Sequence, residues 1–195
     1  MPLDARLKSE FASLWRDAAE LWDRHEADAA FEGYVGSDFT AALAILESYQ
    51  DRAATFLEWG SGLGVVTIMA ARMGFEACGI EVEPELVEWS EWLADKYQAD
   101  ARFACGSFIP DDFTPDPRVG DEFFRTATDS PAGYDQLDRE LADFDLVYAY
   151  PWPDEHRLFG SIMRRRGGRR SVLIRYDNRE GITVRRCGMA KRRQR

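Results

Sequence analysis

Residues 55–64 read TFLEWGSGLG, and the interpretation of the whole chain starts from this stretch. Thr55 to Leu57 form a short apolar run that ends at Glu58, a turn with three glycines follows, and residues 65–73 have helical spacing. The pattern predicts a strand, a tight turn and a helix. Glycine suits such a turn because it tolerates positive φ and lets a ligand approach the backbone. The unpaired N–H groups at the start of the helix point into the same space.

A second predicted strand, Glu76–Ile80, leads to Glu81, seventeen residues after Gly64. A carboxylate at that position can accept hydrogen bonds from the two hydroxyls of a ribose. Turn and acid together favour a nucleoside-binding site over an ordinary strand-to-helix connection. The spacing is not the G-x-G-x-x-G of nicotinamide-binding loops, because the third glycine would fall on Val65.

The sequence E-x-G-x-G-x-G from Glu58 to Gly64 resembles the first motif of the class I S-adenosylmethionine (SAM) dependent methyltransferases. The resemblance implies an α/β, Rossmann-like, doubly wound fold, with a mainly parallel sheet, helices on both faces and, in this chain, additional N-terminal helices. It also implies SAM as the cofactor, with the glycine loop around the amino-acid end, Glu81 on the ribose and Val82 facing the adenine. The candidate cofactor-binding residues are Tyr34, Ser37, Glu58, Gly60, Ser61, Gly62, Gly64, Glu81, Val82, Ser107 and Phe108.

Two parts of this set depend on position relative to the predicted strands. Tyr34 and Ser37 precede the first strand, in a segment that in this family folds over the cofactor or forms part of the substrate mouth, although a helix–helix connection explains them nearly as well. Ser107 follows the predicted third strand, Ala101–Cys105, where many relatives carry an aspartate for the adenine amino group. The adenine contact is then left to the Ser107 hydroxyl, to a backbone group or to Phe108.

The predicted fourth strand, Asp145–Ala149, runs into Tyr150-Pro151-Trp152-Pro153. It should lie beside the first strand, which places Tyr148, Tyr150 and Trp152 next to the transferable methyl group as candidate catalytic residues. Their rings could stabilise a cationic amine or the sulfonium by cation–π attraction. A rigid aromatic corner with no catalytic role is the alternative. Amine methyltransferases often have a small polar residue here, and this chain has Ala149 and Tyr150 instead.

The stretch Gly62–Trp92, whose second strand and helix read GFEACGIEVEPELVEWSEWLA, also resembles a narrower group, the small protein-lysine methyltransferases that act on membrane-associated or mitochondrial proteins. This resemblance favours methyl transfer by direct displacement to an amine, either a protein lysine or a small molecule. Displacement requires no metal, and no metal site is expected. The alternatives are a non-catalytic interaction protein that keeps the fold, an RNA methyltransferase and, more distantly, a nicotinamide dehydrogenase.

The chain of 195 residues is expected to form a single domain, with an N-terminal helical lead-in (1–52), a Rossmann-like core (53–187) and a basic tail (188–195). Six strands are predicted, the last an antiparallel edge strand at Ile182–Arg186. No apolar run is long enough to span a bilayer, the first residues lack the apolar segment of a secretion signal, and the three cysteines are unclustered. We therefore expect a cytoplasmic protein without a membrane span.

Charge is distributed unevenly along the chain. The net charge is −10, but residues 164–195 carry +11 and the remainder carries −21. The acidic body makes nucleic acid an unlikely partner, and the basic end is interpreted as a solvated segment in preference to a docking tail. Residues 109–143 are rich in Pro, Asp and Gly, which predicts an irregular acidic loop or a substrate mouth. We further expect Ser37 and Asp154 to cap helices and His25 to face solvent.

Overall fold

The computed structural model describes residues 3–114, 130–152, 155–177 and 181–187. The basic tail 188–195 and the predicted cap Asp154 lie outside these residues, as does the central part, 115–129, of the predicted loop between 109 and 143. The strands are β1 (Thr55–Trp59), β2 (Glu76–Glu81), β3 (Ala101–Cys105), β4 (Leu146–Ala149), β5 (Val172–Asp177) and β6 (Gly181–Arg186). The helices are α1 (Ala5–His25), α2 (Phe39–Tyr49), α3 (Val65–Arg72), α4 (Pro84–Lys96), α5 (Tyr134–Leu137) and α6 (His156–Arg166), with 3₁₀ turns at Ala29–Phe31 and Leu141–Asp143.

The six strands form one sheet in the order β3-β2-β1-β4-β5-β6. The first five are parallel, and β6 pairs with β5 in the antiparallel sense. Strand order reverses between β1 and β4, where Phe56 is paired with Leu146 and Trp59 with Ala149. The predicted doubly wound, mainly parallel α/β fold is confirmed. In such sheets the ligand crevice lies outside the carboxyl ends of the strands at this reversal.

Each face of the sheet carries its own hydrophobic core because successive side chains of a strand point to opposite faces. Phe56 and Tyr148 pack on the face covered by α1 to α4, whereas Leu57 and Val147 pack on the face covered by α5 and α6. Strands buried on both faces have continuous apolar runs, which is why β1 and β4 can be predicted from the sequence.

The N-terminal helix α1 is held on helices α3 and α4 by both apolar and polar contacts. Its buried stripe is Phe11, Leu14, Ala18 and Leu21, at the three- and four-residue spacing of an amphipathic helix. Glu10 forms a two-pronged ion pair with Arg72 of α3 at 2.6 and 3.2 Å. Asp17 accepts from Lys96 and Tyr97 at the end of α4. Helices α1 and α2 are therefore packed parts of the fold, and the division at residue 52 stays a prediction.

Three local predictions were wrong. Strand β1 continues through Glu58 to Trp59, because Trp59 is buried against the second core. Helix α2 is capped by Asp38, whose carboxylate accepts from the Ala41 N–H at 3.0 Å. The His25 ring does not project into solvent but lies between the rings of Phe31 and Trp89, at centroid distances of 5.5 and 5.3 Å.

Among the described residues, no helix is long and apolar enough to cross a membrane.

Gly64, at the start of α3, is expected to be intolerant of a side chain. Its φ is +70°, and a Cβ would lie 2.6 Å from the Phe103 ring and 2.8 Å from the Ser90 Cβ. Gly74 has a φ of +94° but nothing within 4 Å of its Cβ position. Gly74→Ala should therefore cost only the backbone strain of about 1 kcal/mol, whereas Gly64→Ala adds overpacking and should cost about 2–4 kcal/mol. Urea unfolding of the two variants measures both values, and equal losses would contradict the packing argument.

Candidate functional site

A cleft of about 980 Å³ opens at the carboxyl ends of β1 and β4, where strand order reverses. Thirteen of the fourteen residues predicted for the site line it. They are Tyr34, Ser37, Glu58, Gly60, Ser61, Gly62, Glu81, Val82, Ser107, Phe108, Tyr148, Tyr150 and Trp152. The exception is Gly64, which lies behind the loop against Phe103 and Ser90.

The glycine turn forms the floor of the cleft. Gly60 and Gly62 have φ values of +67° and +52°, a region that favours glycine. The N–H groups of Gly60 and Ser61 donate to the Ile80 carbonyl at 2.9 and 3.0 Å, which holds the turn against the end of β2. The Tyr34 ring lies on Gly62, since a Cβ there would be 2.4 Å from a ring carbon. A glycine at position 62 is therefore required by a neighbouring aromatic ring as well as by backbone conformation.

Glu81 connects the second strand directly to the glycine turn. Its Oε2 accepts from the Gly62 N–H at 2.8 Å, and its Oε1 accepts from the N–H groups of Val82 and Glu83 at 2.8 and 3.1 Å. Burial raises the pKa of Glu81 above its ordinary value, while these three donors act in the opposite direction. A carboxylate has about four acceptor sites, so capacity remains for a hydroxyl donor from the cleft.

Glu58 is buried one strand away and is committed to the start of α3. Its Oε2 accepts from the Thr67 N–H at 2.9 Å and from the Thr67 hydroxyl at 2.6 Å. Burial, together with the charge of nearby Glu81, raises the pKa of Glu58 to about 8, although the two Thr67 hydrogen bonds act in the opposite direction. The side chain closes the strand–turn–helix unit from within, and a cation in the cleft would favour its ionised form.

The wall beyond β2 is aromatic. The Phe108 ring stacks on Trp59 at 4.9 Å and packs against Phe159 at 5.0 Å. The Tyr134 hydroxyl accepts from the Trp59 indole N–H at 3.0 Å and donates to the Phe108 carbonyl at 2.7 Å. Ser107 turns its hydroxyl oxygen toward the Ile109 N–H at 3.1 Å. These contacts give the cleft a flat apolar surface beside Glu81.

The three candidate catalytic aromatics form the opposite side of the cleft. Tyr148 is buried and its hydroxyl lies 2.5 Å from the Ser37 hydroxyl, which connects the loop before α2 to β4. Burial raises the pKa of the Tyr148 phenol, so it is neutral and cannot act as a base at neutral pH. Tyr150 packs edge-on against Tyr176 at 5.1 Å, and Trp152 lies beside Gly33.

Sequence reasoning missed a histidine–carboxylate pair in the same cleft. His156, at the start of α6, places its Nε2 3.1 Å from the Asp177 carboxylate at the end of β5, and both residues line the cavity. A carboxylate only accepts, so Nε2–H donates to Asp177. Within the described part of the chain, Nδ1 is buried and has no hydrogen-bond partner. The signal available was a lone histidine after the fourth strand and an acid ending the fifth.

The residues present fit a nucleoside carrying an amino-acid group. Glu81 retains acceptor capacity for a ribose hydroxyl, and the apolar surface of Phe108 and Trp59 lies in the same cleft. The Ser61 hydroxyl is buried next to Gly79 of β2 and has no hydrogen-bond partner among the residues described. Described residues that could jointly hold a metal, His25, Asp28 and Glu85, lie outside this cleft.

Comparison with solved structures supports the assignment of the fold. An RNA methyltransferase from Salinibacter ruber, solved with S-adenosylhomocysteine (SAH), matches with a TM-score of 0.52 at 16% identity, over 74% of this chain and 78% of its own. An O-methyltransferase from Bacillus cereus, also in complex with SAH, matches with a TM-score of 0.52 at 14% identity, over 90% and 67%. The chain has the fold of the class I SAM-dependent methyltransferases.

The sequence comparison also finds methyltransferases, over a shorter stretch of the chain. A ribosomal protein L11 methyltransferase from Cupriavidus taiwanensis is 30% identical over 89 residues, which cover 44% of this chain and 30% of that protein. The match thus spans less than a third of the length of this relative. No protein-family model matches the chain. The narrower resemblance to protein-lysine methyltransferases stays a prediction.

The raised pKa of Glu58 predicts a pH-dependent stability that Glu58→Gln should remove. In the folded protein the carboxyl keeps its proton up to about pH 8, whereas in the unfolded chain it ionises near its usual value of 4.5. The folded state thus binds more protons between these values, and wild-type stability falls as pH rises. The unfolding free energy of wild type minus variant should fall by about 1 kcal/mol per pH unit from pH 5 to 8.

The control is Glu76→Gln, at the exposed start of β2. Its difference from wild type should be constant over this pH range in urea titrations. A difference for Glu58→Gln that is equally constant would show that Glu58 is ionised in the folded protein.

Proposed function

We propose that this protein is a SAM-dependent methyltransferase that transfers a methyl group to an amine, either a protein lysine or a small molecule. The observation that carries the proposal is the hydrogen bond between Glu81 and the Gly62 N–H at 2.8 Å, within the cleft at the strand reversal. The acid for the ribose and the glycine turn for the methionine portion are thus parts of one surface. Similar proteins that are methyltransferases support the same reading.

The cofactor residues act by shape and by hydrogen bonding. Glu81 accepts from the ribose, and the turn of Gly60, Ser61 and Gly62 admits the methionine portion beside its backbone. Val82 and Phe108 contact the adenine, with the Ser107 segment closing that end. Glu58 and Gly64 position the turn from behind through Thr67 and Phe103. Tyr34, lying on Gly62, is displaced to the side of the cleft or closes over the ligand.

SAM, when bound, would supply an electrophilic methyl group, which is transferred when a nucleophile attacks the methyl carbon and SAH leaves. The chain contributes alignment, exclusion of water and removal of a proton. Tyr150 and Trp152 provide ring faces for a cationic or polarised amine, and buried Tyr148 holds the Ser37 loop in place. The His156–Asp177 pair, which lines the same cleft, is the candidate acceptor for the proton of the incoming nucleophile. The preference for an amine acceptor follows from the aromatic wall and the histidine.

Cofactor binding is tested by isothermal titration calorimetry with SAM and with SAH. Wild type should bind both, and Glu81→Ala should bind at least about tenfold more weakly, because a charge-assisted hydrogen bond is lost. Glu76→Ala, at the exposed start of the same strand, is the matched control and should bind as wild type. Circular dichroism of Glu81→Ala verifies that it is folded. Absence of binding by wild type would overturn the proposal, as would unchanged affinity in Glu81→Ala.

The proton acceptor is tested by transfer of labelled methyl from SAM to proteins and metabolites of a cell lysate. His156→Gln should lower the rate about 100-fold, because the candidate proton acceptor is lost. His25→Gln, which changes the other of the two histidines, should retain the wild-type rate.

Cofactor binding without transfer to any acceptor would favour the alternative of a non-catalytic protein with this fold. Transfer to RNA alone would replace the amine by a nucleotide acceptor. An unchanged rate in His156→Gln would remove the histidine from the mechanism and leave the methyltransferase assignment standing.

A further inference from the structure

Seven arginines gather at the end of the sheet opposite the cleft, and we define this surface as the arginine face. Its members come from the end of α6, the turn after it and the end of β6, and the side chains are exposed. They are Arg164, Arg165, Arg166, Arg169, Arg170, Arg185 and Arg186.

The pairing of β6 with β5 brings the arginines at the end of β6 next to those of α6 and the turn after it. β6 runs antiparallel to β5, so that Arg185 is paired with Leu173 and Arg186 with Val172, next to the turn that carries Arg169 and Arg170. As successive strand residues, Arg185 and Arg186 point to opposite sides of the edge strand, so the arginine face extends around the end of that edge. The following residue, Cys187, donates its N–H to the Ser171 carbonyl at 2.8 Å and its thiol to the Met163 carbonyl at 3.3 Å, which holds the end of β6 against α6.

Among the described residues, ion pairs with carboxylates neutralise only a small part of this face. Arg166 pairs with Asp112 at 2.9 Å, the one carboxylate within ion-pair distance of the face among the residues that the structure describes. Arg165 stacks on the Phe113 ring at 5.3 Å and donates to the Thr114 carbonyl. On the β4 side, the turn at Gly168 packs against Ala142, which marks the border with the acidic residues before β4. The face keeps a concentrated positive charge on a protein whose net charge is −10.

The chemistry of the face selects phosphate. Its charges are guanidinium groups, which bind phosphate oxygens in a two-pronged, planar geometry that ammonium groups cannot reproduce. Val184 is the exposed large hydrophobic residue on the same edge strand, far less apolar surface than insertion into a lipid bilayer needs. Arginines arrayed along an edge, without a row of exposed aromatic rings beside them, suit the repeating phosphates of a nucleic-acid backbone better than its bases.

We propose that the arginine face binds the phosphate backbone of a nucleic acid and thereby docks the protein on it. The cleft is at the other end of β5, whose six residues run from Val172 at the face to Asp177 at the cavity. That length is about 20 Å, so the docked strand does not occupy the methyl-acceptor site. The proposal replaces the expectation, drawn from net charge alone, that nucleic acid is an unlikely partner, and it holds whether or not the cleft transfers methyl groups.

The test is fluorescence anisotropy of the full chain with a labelled RNA hairpin, and with a DNA hairpin of the same sequence, at several salt concentrations. The face variant is R169Q/R170Q/R185Q/R186Q. The control is R6Q/R16Q/R24Q/R52Q, which removes the same charge from exposed arginines of the N-terminal half. Wild type and control should bind at about 50 mM salt within twofold of each other. The face variant should bind at least tenfold more weakly, with the slope of log affinity against log salt reduced by about 3.

Titration with SAH monitors the integrity of both quadruple variants, because none of the eight positions lines the cleft. Failure of wild type to bind either hairpin at about 50 mM salt would overturn the proposal. Equal losses in the face variant and the control would also overturn it, since binding would then follow net charge and not this surface. Binding to phosphatidylserine vesicles without binding to either hairpin would assign the face to a membrane and reject the nucleic acid. RNA binding without DNA binding, or the reverse, supports the proposal and identifies the source of the phosphates.

Discussion

The hydrogen bond from the Gly62 N–H to the Glu81 carboxylate is the contact on which the cleft depends. It fixes the turn after β1 to the end of β2, two elements that are adjacent in the sheet but separated by a whole helix in the chain. The Ile80 carbonyl reinforces it by accepting from the two preceding N–H groups of the same turn, those of Gly60 and Ser61. A turn held from one side by three hydrogen bonds presents its other side to the cleft, where the Tyr34 ring lies on Gly62. The carboxylate is thus both a strut of the turn and part of the surface that the turn presents.

Burying two carboxyl groups next to each other is costly, and the structure carries that cost at the centre of the cleft. Glu58 and Glu81 are both buried, and the charge of Glu81 raises the pKa of Glu58. Desolvation and like charge both disfavour ionisation, and a cation in the cleft would reverse both effects. SAM carries positive charge at its sulfonium and its ammonium, whereas SAH lacks the sulfonium. The two acids therefore provide an electrostatic reason for a cleft of this shape to favour SAM over its product.

The fold was largely predictable from the sequence because its signals are local. The apolar runs at β1, β2 and β4 and the glycine turn each lie within a few residues, and a doubly wound sheet then orders them. Contacts between distant residues could not be predicted in the same way. Ser37 meets the Tyr148 hydroxyl across 111 positions, and His156 meets Asp177 across 21, so nothing in either neighbourhood reveals the partner. Gly64 shows an error of the opposite kind. The motif predicted that it would contact the cofactor, but it packs behind the loop against Phe103 and Ser90.

The separation of charge along the chain becomes a separation in space once β5 and β6 are paired. Buried acids lie at the cleft end of the sheet, and exposed arginines lie at the other end. A polyanion approaching this protein is repelled by the acidic body and attracted at one surface, so the encounter has a preferred orientation. In that orientation the cleft points away from the bound strand and stays open to solvent. An acceptor would then be a molecule associated with the nucleic acid, such as a protein bound beside the docking point, and not the contacted phosphate segment itself. This arrangement reconciles an amine acceptor with a nucleic-acid partner, because each occupies its own end of β5.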